Sequence, residues 1–183
     1  MDLPILTVAE APAEAQPILD GIAADLGMIP NFAATIAASP TLLAAFDGVR
    51  RAVGDPSFDP IRREVVGVAV GVAVDNAYGV AFHSTMLAML GLDPGDIERL
   101  RAGDEPSDPT LAAVVAFARS AVLDRGAVDP SVLDRAEAAG LTPADLLQIV
   151  AECTLAGLVG LVDNLVSRVE LDELLAPQAW KAS

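Results

Sequence analysis

The chain has 183 residues, 53% of them hydrophobic and only 20% charged, which excludes a disordered or solvating chain and allows one domain, residues 1–183, with a sizeable core. Its 26 acidic and 11 basic side chains give a formal charge of −15, which repels phosphate backbones and anionic lipid heads, so nucleic acid and membrane surfaces are not expected partners. One cysteine, Cys153, cannot close an intrachain disulfide, and one histidine, His83, cannot supply the paired imidazoles of common zinc sites, so neither a disulfide scaffold nor a metal centre is expected.

At the N-terminus, Met1-Asp2-Leu3-Pro4-Ile5 has no basic leader before its apolar residues, which predicts a cytoplasmic protein without a secretory signal. Proline then punctuates the chain. Ser39-Pro40, Asp59-Pro60, Asp93-Pro94, Asp108-Pro109, Asp129-Pro130 and Thr142-Pro143 each pair a capping oxygen with a ring whose preset φ and missing N–H suit the first helical position. Helices are predicted over 12–26, 30–37, 40–53, 60–74, 76–90, 94–102, 109–124, 130–138 and 143–168. No alternation of period two is bounded by turn signals, so an all-α, compact multi-helix bundle is expected.

Val65 to Val74 is the one β-prone stretch, but it continues from Asp59-Pro60 without a breaker and is read as a buried helix. Leu146 to Val162 carries Gln148 and Glu152 and is read as a core helix, not a membrane span. Mean hydropathy of +0.48 without a span leaves a surplus of apolar surface, whose usual outlet is burial between subunits of a homo-oligomer. Gly91-Leu92-Asp93-Pro94 is echoed by Gly140-Leu141-Thr142-Pro143, each a helix-ending glycine and a capped restart, which suggests two similar hairpins. The loops at Gly54-Asp55-Pro56-Ser57 and Gly103-Asp104-Glu105-Pro106-Ser107 are expected to be exposed and mobile.

Three polar residues interrupt the most apolar helices: Glu64, Asn76 and His83. Spacing of i, i+3 and i+7 puts Asn76, Gly79 and His83 on one stripe, where Gly79 leaves room beside the imidazole. Gly67 and Gly71 beside Glu64 suggest close backbone packing or space for a ligand. His83 is either a general acid or base or a core histidine, and Glu64 either relays protons to it or pairs with an arginine such as Arg62 or Arg63 of a neighbouring subunit. Asn76 either holds a substrate carbonyl or caps a helix; Tyr78 packs with its hydroxyl satisfied. Asp163, Asn164 and Arg168 form a polar stripe that closes either a pocket or a subunit contact, the contact being favoured. Cys153, within Ile149-Val150-Ala151-Glu152-Cys153-Thr154-Leu155, is read as an inert core thiol.

The order Gly27-Met28-Ile29-Pro30-Asn31-Phe32, Ser39-Pro40-Thr41-Leu42-Leu43, Arg62-Arg63-Glu64, Tyr78 and His83, with 19 residues from Glu64 to His83, resembles the carboxymuconolactone decarboxylase and alkylhydroperoxidase D-like superfamily. Asp163-Asn164-Leu165 and Val169-Glu170-Leu171-Asp172 resemble the end of its peroxidase-related members. That resemblance implies the same all-α bundle, assembled as dimers, trimers or hexamers, and it implies a peroxide-reducing C-x-x-C-x-x-x-H motif. Here Asn76 and Gly79 stand at the two cysteine positions, and neither can replace a thiolate nucleophile.

What the resemblance leaves is the proton-transfer pair of the decarboxylase branch. One expectation is therefore a cofactor-free acid/base enzyme on a small carboxylated or lactone-type molecule, with catalytic His83 and Glu64 and with Asn76, Tyr78 and Gly79 binding substrate. The alternatives are a ligand-binding or scaffold oligomer that has lost its redox pair, and weak peroxidase chemistry through Cys153.

Overall fold

The computed structural model describes residues 1–54 and 57–181. Nine α-helices occur among them: α1 (Gln16–Leu26), α2 (Asn31–Ile36), α3 (Pro40–Val53), α4 (Pro60–Ala73), α5 (Ala77–Met89), α6 (Pro94–Ala102), α7 (Pro109–Leu123), α8 (Pro130–Ala138) and α9 (Pro143–Leu165), followed by a 3-10 turn, Glu173–Gln178. No strand occurs among the described residues, and the all-α expectation is met.

All six expected caps form. The side chains of Ser39, Asp59, Asp93, Asp108, Asp129 and Thr142 each accept a first-turn backbone N–H, and Thr142 completes a capping box with Asp145. The two glycine echoes also hold: Gly91 and Gly140 are left-handed at φ of 82° and 81°, and Leu92 and Leu141 donate back to the Leu87 and Ala136 carbonyls. The first helix starts later than expected, at Gln16, because Ala15 supplies no capping oxygen and residues 8–15 form turns. The last ends earlier, at Leu165, where left-handed Ser167 and Arg168 reverse the chain and Val169 donates to Asp163 Oδ1 at 2.8 Å. Of the two loops, Gly54-Asp55-Pro56-Ser57 contains residues outside the described ones. The other is anchored: Ser107 donates its N–H and hydroxyl to Asp96 at 2.8 and 2.7 Å, and Glu105 pairs with Arg135.

α4 lies in the middle, packed by α5, α7 and α9. Its Val65, Val66, Val68, Ala69 and Val70 are all buried, the pattern of a helix apolar all round, so packing overrides the β-preference of valine. One core cluster joins α4 to Leu100, Val114, Phe117 and Ile149; a second joins α1, α2 and α3 to Tyr78, Ala81 and the tail residues Val169 and Leu175. Among the described residues α9 is the one helix with length and hydropathy enough to cross a membrane. It packs against α3, α4, α5 and α7 and buries Ile149, Glu152, Cys153, Ala156 and Asp163. Its other face leaves Leu147, Leu161 and Leu165 exposed, which is where much of the surplus apolar surface lies.

Candidate functional site

α5 starts where α4 stops. Asp75 turns the chain with φ of 56°, and Asn76 then caps α5, its Oδ1 accepting from the Gly79 N–H at 2.8 Å and its Nδ2 reaching the Ala156 carbonyl at 3.5 Å. A buried carboxylate, Asp163 of α9, accepts from the N–H groups of Ala77 and Tyr78 at 2.9 and 3.4 Å. Acceptors at a helix N-terminus satisfy its orphan donors and complement its dipole, so α5 is held in a fixed register.

That register places His83 against α4. His83 Nδ1 lies 2.7 Å from Glu64 Oε2; because a carboxylate only accepts, Nδ1 carries the proton and Nε2 is the nitrogen left for other work. The two side chains are 17% and 12% exposed, shielded but reachable. The space beside the imidazole comes from Gly67, not from Gly79: a methyl group at Gly67 would lie 2.3 Å from the His83 ring. At Gly79 a methyl group would meet the Asn76 amide at 2.2 Å, so Asn76 and Gly79 are a matched pair in which the amide fills what a side chain at 79 would occupy.

A cavity of about 90 Å³ opens on the α5 side of His83, walled by Phe32, Phe46, Phe82, Leu155 and Val159. His83 and Arg50 are the ionisable side chains on it besides the Tyr78 phenol, and its surface is almost wholly apolar. The Arg50 charge faces carboxylates: Nη2 pairs with Asp25 at 2.8 Å and with Asp47 at 2.7 Å.

The expected site residues thus separate. Tyr78, Gly79 and His83 line the cavity and Glu64 stands behind His83. Asn76, expected to hold a substrate oxygen, instead caps α5 and does not line the cavity. Tyr78 contributes its ring, since its hydroxyl donates to Asp172 Oδ2 at 2.6 Å. Glu64 bonds His83 within the chain, and Arg168 pairs with Asp163 and Asp75. Cys153 is buried with its thiol pushed up to about 12 by that burial, in line with an inert core thiol. Sequence reasoning missed Arg50, the three phenylalanines and Glu152. The signal for Glu152 was present, a carboxylate inside the apolar run of α9.

Burial, followed by the bond to Asp172, raises the Tyr78 phenol above its ordinary value of about 10. As pH rises past that value the unfolded chain releases the proton while the native protein keeps it, so stability falls. Tyr78 is the single tyrosine, so alkaline absorbance titration is expected to show no ionisation until the protein unfolds. Reversible ionisation near pH 10 in the folded protein would contradict this.

Residues 40–119 match the model of the Carboxymuconolactone decarboxylase family. No curated protein matches the chain in sequence. Among solved structures, an uncharacterized peroxidase-related protein with an alkylhydroperoxidase AhpD core from Ralstonia eutropha JMP134 superposes with a TM-score of 0.81 at 20% identity, over 94% of this chain and 92% of its own. A peroxidase-related protein from Silicibacter sp. TM1040 gives 0.78 at 20% identity, over 97% and 94%. The debrominase Bmp8, as a cysteine-to-alanine variant in complex with 2,3,4-tribromopyrrole, gives 0.74 at 15% identity, over 96% and 94%. The matching segment runs from α3 into α7 and contains both Glu64 and His83, and along nearly the whole chain the fold is that of the AhpD-like structures: the chain is similar to the Carboxymuconolactone decarboxylase family over that segment and shares the alkylhydroperoxidase D-like fold.

Proposed function

We propose that the protein is a thiol-independent, cofactor-free acid/base enzyme that moves a proton on a small, neutral, lactone-type or related ring molecule. The 2.7 Å bond from His83 Nδ1 to Glu64, on a side chain that also lines the cavity, carries this proposal. Glu64 fixes the tautomer and stabilises the imidazolium, so Nε2 accepts a proton from a carbon next to a carbonyl and returns it later. The electron pair of that C–H bond stays on the substrate as an enolate.

Of the two substrate types expected from the sequence, the cavity favours the neutral lactone over the free carboxylate. A carboxylate buried against phenylalanine and leucine costs several kcal/mol unless a cation pairs it, and the nearest candidate, Arg50, already faces Asp47 and Asp25. The small heterocycle held by the Bmp8 neighbour is in keeping with a ring ligand. Peroxide reduction through Cys153 is disfavoured, because its thiolate is scarce at neutral pH and Asn76 and Gly79 offer no resolving partner.

The test is deuterium exchange, followed by NMR, at the acidic carbons of neutral five- and six-membered lactones and cyclic enones in heavy water. Exchange is expected with the native protein and to slow by about a hundredfold or more in His83→Gln. Imidazole nitrogen shifts are expected to show the Nδ1–H tautomer, lost in Glu64→Gln. Ring molecules that bind without exchange, equally in native protein and His83→Gln, would leave the ligand-binding or scaffold alternative in its place.

A further inference from the structure

From Leu146 to Val162, α9 is apolar but for a few residues, and one of these is a carboxylate turned inward: Glu152 is only 5% exposed. Its Oε1 accepts from Gln148 Nε2 at 3.1 Å and from Arg63 Nε at 3.3 Å, so it ties α9 to α4 at the residue next to Glu64. The following turn of α9, Leu155 and Ala156, forms part of the cavity wall. Arg63 of α4 and Gln148 of its own helix contact it, and the titratable groups close enough to act on it through charge are Glu64 of α4, His83 of α5 and Cys153 of α9.

This carboxylate is expensive where it stands. Burial pushes Glu152 above its usual range, and Gln148, Arg63 and His83 offset only part of that. A glutamine of the same shape would fill the volume and keep an acceptor for Arg63, so packing alone does not call for the charge. Costly ionisable groups next to a shielded acid/base pair are characteristic of working sites.

We propose that Glu152 is a positioning residue for the Glu64–His83 pair: its carboxylate, held between α9 and α4 beside the cavity, supplies the second negative charge that favours the imidazolium during turnover. The role in turnover rests on the acid/base function above; the electrostatic coupling to His83 does not. When His83 takes the substrate proton, the imidazole gains one positive charge and the substrate keeps the electron pair. The Glu64 carboxylate then bonds the imidazolium and the Glu152 carboxylate acts on it through space, and when the proton returns to the substrate the cluster regains its starting charge.

His83 is the only histidine, so its ring proton gives one NMR titration curve in the full-length protein. Removing a nearby negative charge disfavours the imidazolium, so the midpoint is expected to fall by about half a pH unit or more in Glu152→Gln. Glu152→Asp is expected to restore much of the difference, and the pH limb of the exchange reaction to move with the midpoint. The melting temperature at neutral pH is expected to stay or rise, because a costly charge has gone. If the glutamine variant does not fold, Glu152→Leu reads the same midpoint; failure of both to fold makes the residue structural and overturns the proposal. A midpoint that moves with Glu64→Gln but not with Glu152→Gln overturns the role of Glu152 and leaves the pair intact. A midpoint that moves with neither overturns both.

Discussion

Replacing Asp163 by alanine is expected to cost about 3–5 kcal/mol of stability, the largest loss for any single polar side chain in the fold. The carboxylate is fully buried, and each of its oxygens has a separate task. Oδ2 takes the Ala77 N–H at 2.9 Å and Arg168 Nη1 at 3.1 Å; Oδ1 takes the Val169 N–H at 2.8 Å. Alanine removes both acceptor oxygens at once, leaving orphan donors at the start of α5, where Tyr78 N–H also reaches Oδ2 at 3.4 Å, and at the turn that follows α9. Against a native stability of about 5–15 kcal/mol, that loss leaves little margin. Asp163→Asn keeps one acceptor and is expected to fall between alanine and the native residue. Urea denaturation measures both, and a cost below about 1 kcal/mol for alanine would show that water or a shifted backbone takes over the donors. The site would suffer as well, because the same carboxylate fixes the register that brings His83 to Glu64.

That register explains why the helices were legible in the sequence and the site only partly so. Each capped proline start is a local device: Asp59 and its acceptor role depend on residues three positions away, so the sequence alone places Pro60 at a helix start. The buried valines of α4 were legible for the same reason, as an unbroken run behind a cap. The 19-residue spacing from Glu64 to His83 identified the pair, and the fold closes it to 2.7 Å. Long-range partners were not legible. Nothing near Tyr78 in sequence announces Asp172, 94 residues away, and nothing near Arg63 announces Glu152, 89 residues away. Asn76 was open to two readings because one amide suits a cap and a substrate oxygen equally. The fold favours the cap, since Gly79 donates to it and leaves the volume it needs.

Gly67→Ala is expected to break the Glu64–His83 pair without touching either residue. The added methyl would lie 2.3 Å from two ring carbons of His83 and 2.4 Å from a third, so the imidazole must rotate away and give up the Glu64 bond. Overpacking of this kind costs about 1–3 kcal/mol, partly offset by the roughly 1 kcal/mol that alanine gains over glycine inside a helix. The double variant separates these effects. With His83→Ala the obstructing ring is gone, so adding Gly67→Ala to that background is expected to be neutral or stabilising, and the two substitutions to couple by about 1 kcal/mol or more. Thermal denaturation of the four proteins measures the coupling, and the imidazole nitrogen shifts of Gly67→Ala report loss of the Nδ1–H tautomer. Additive costs, with the tautomer kept, would mean that α4 and α5 move apart to admit the methyl. A large coupling would mean that a glycine in α4 is held there by the shape of one imidazole on α5, so the packing of the bundle and the chemistry of His83 depend on the same few cubic ångströms.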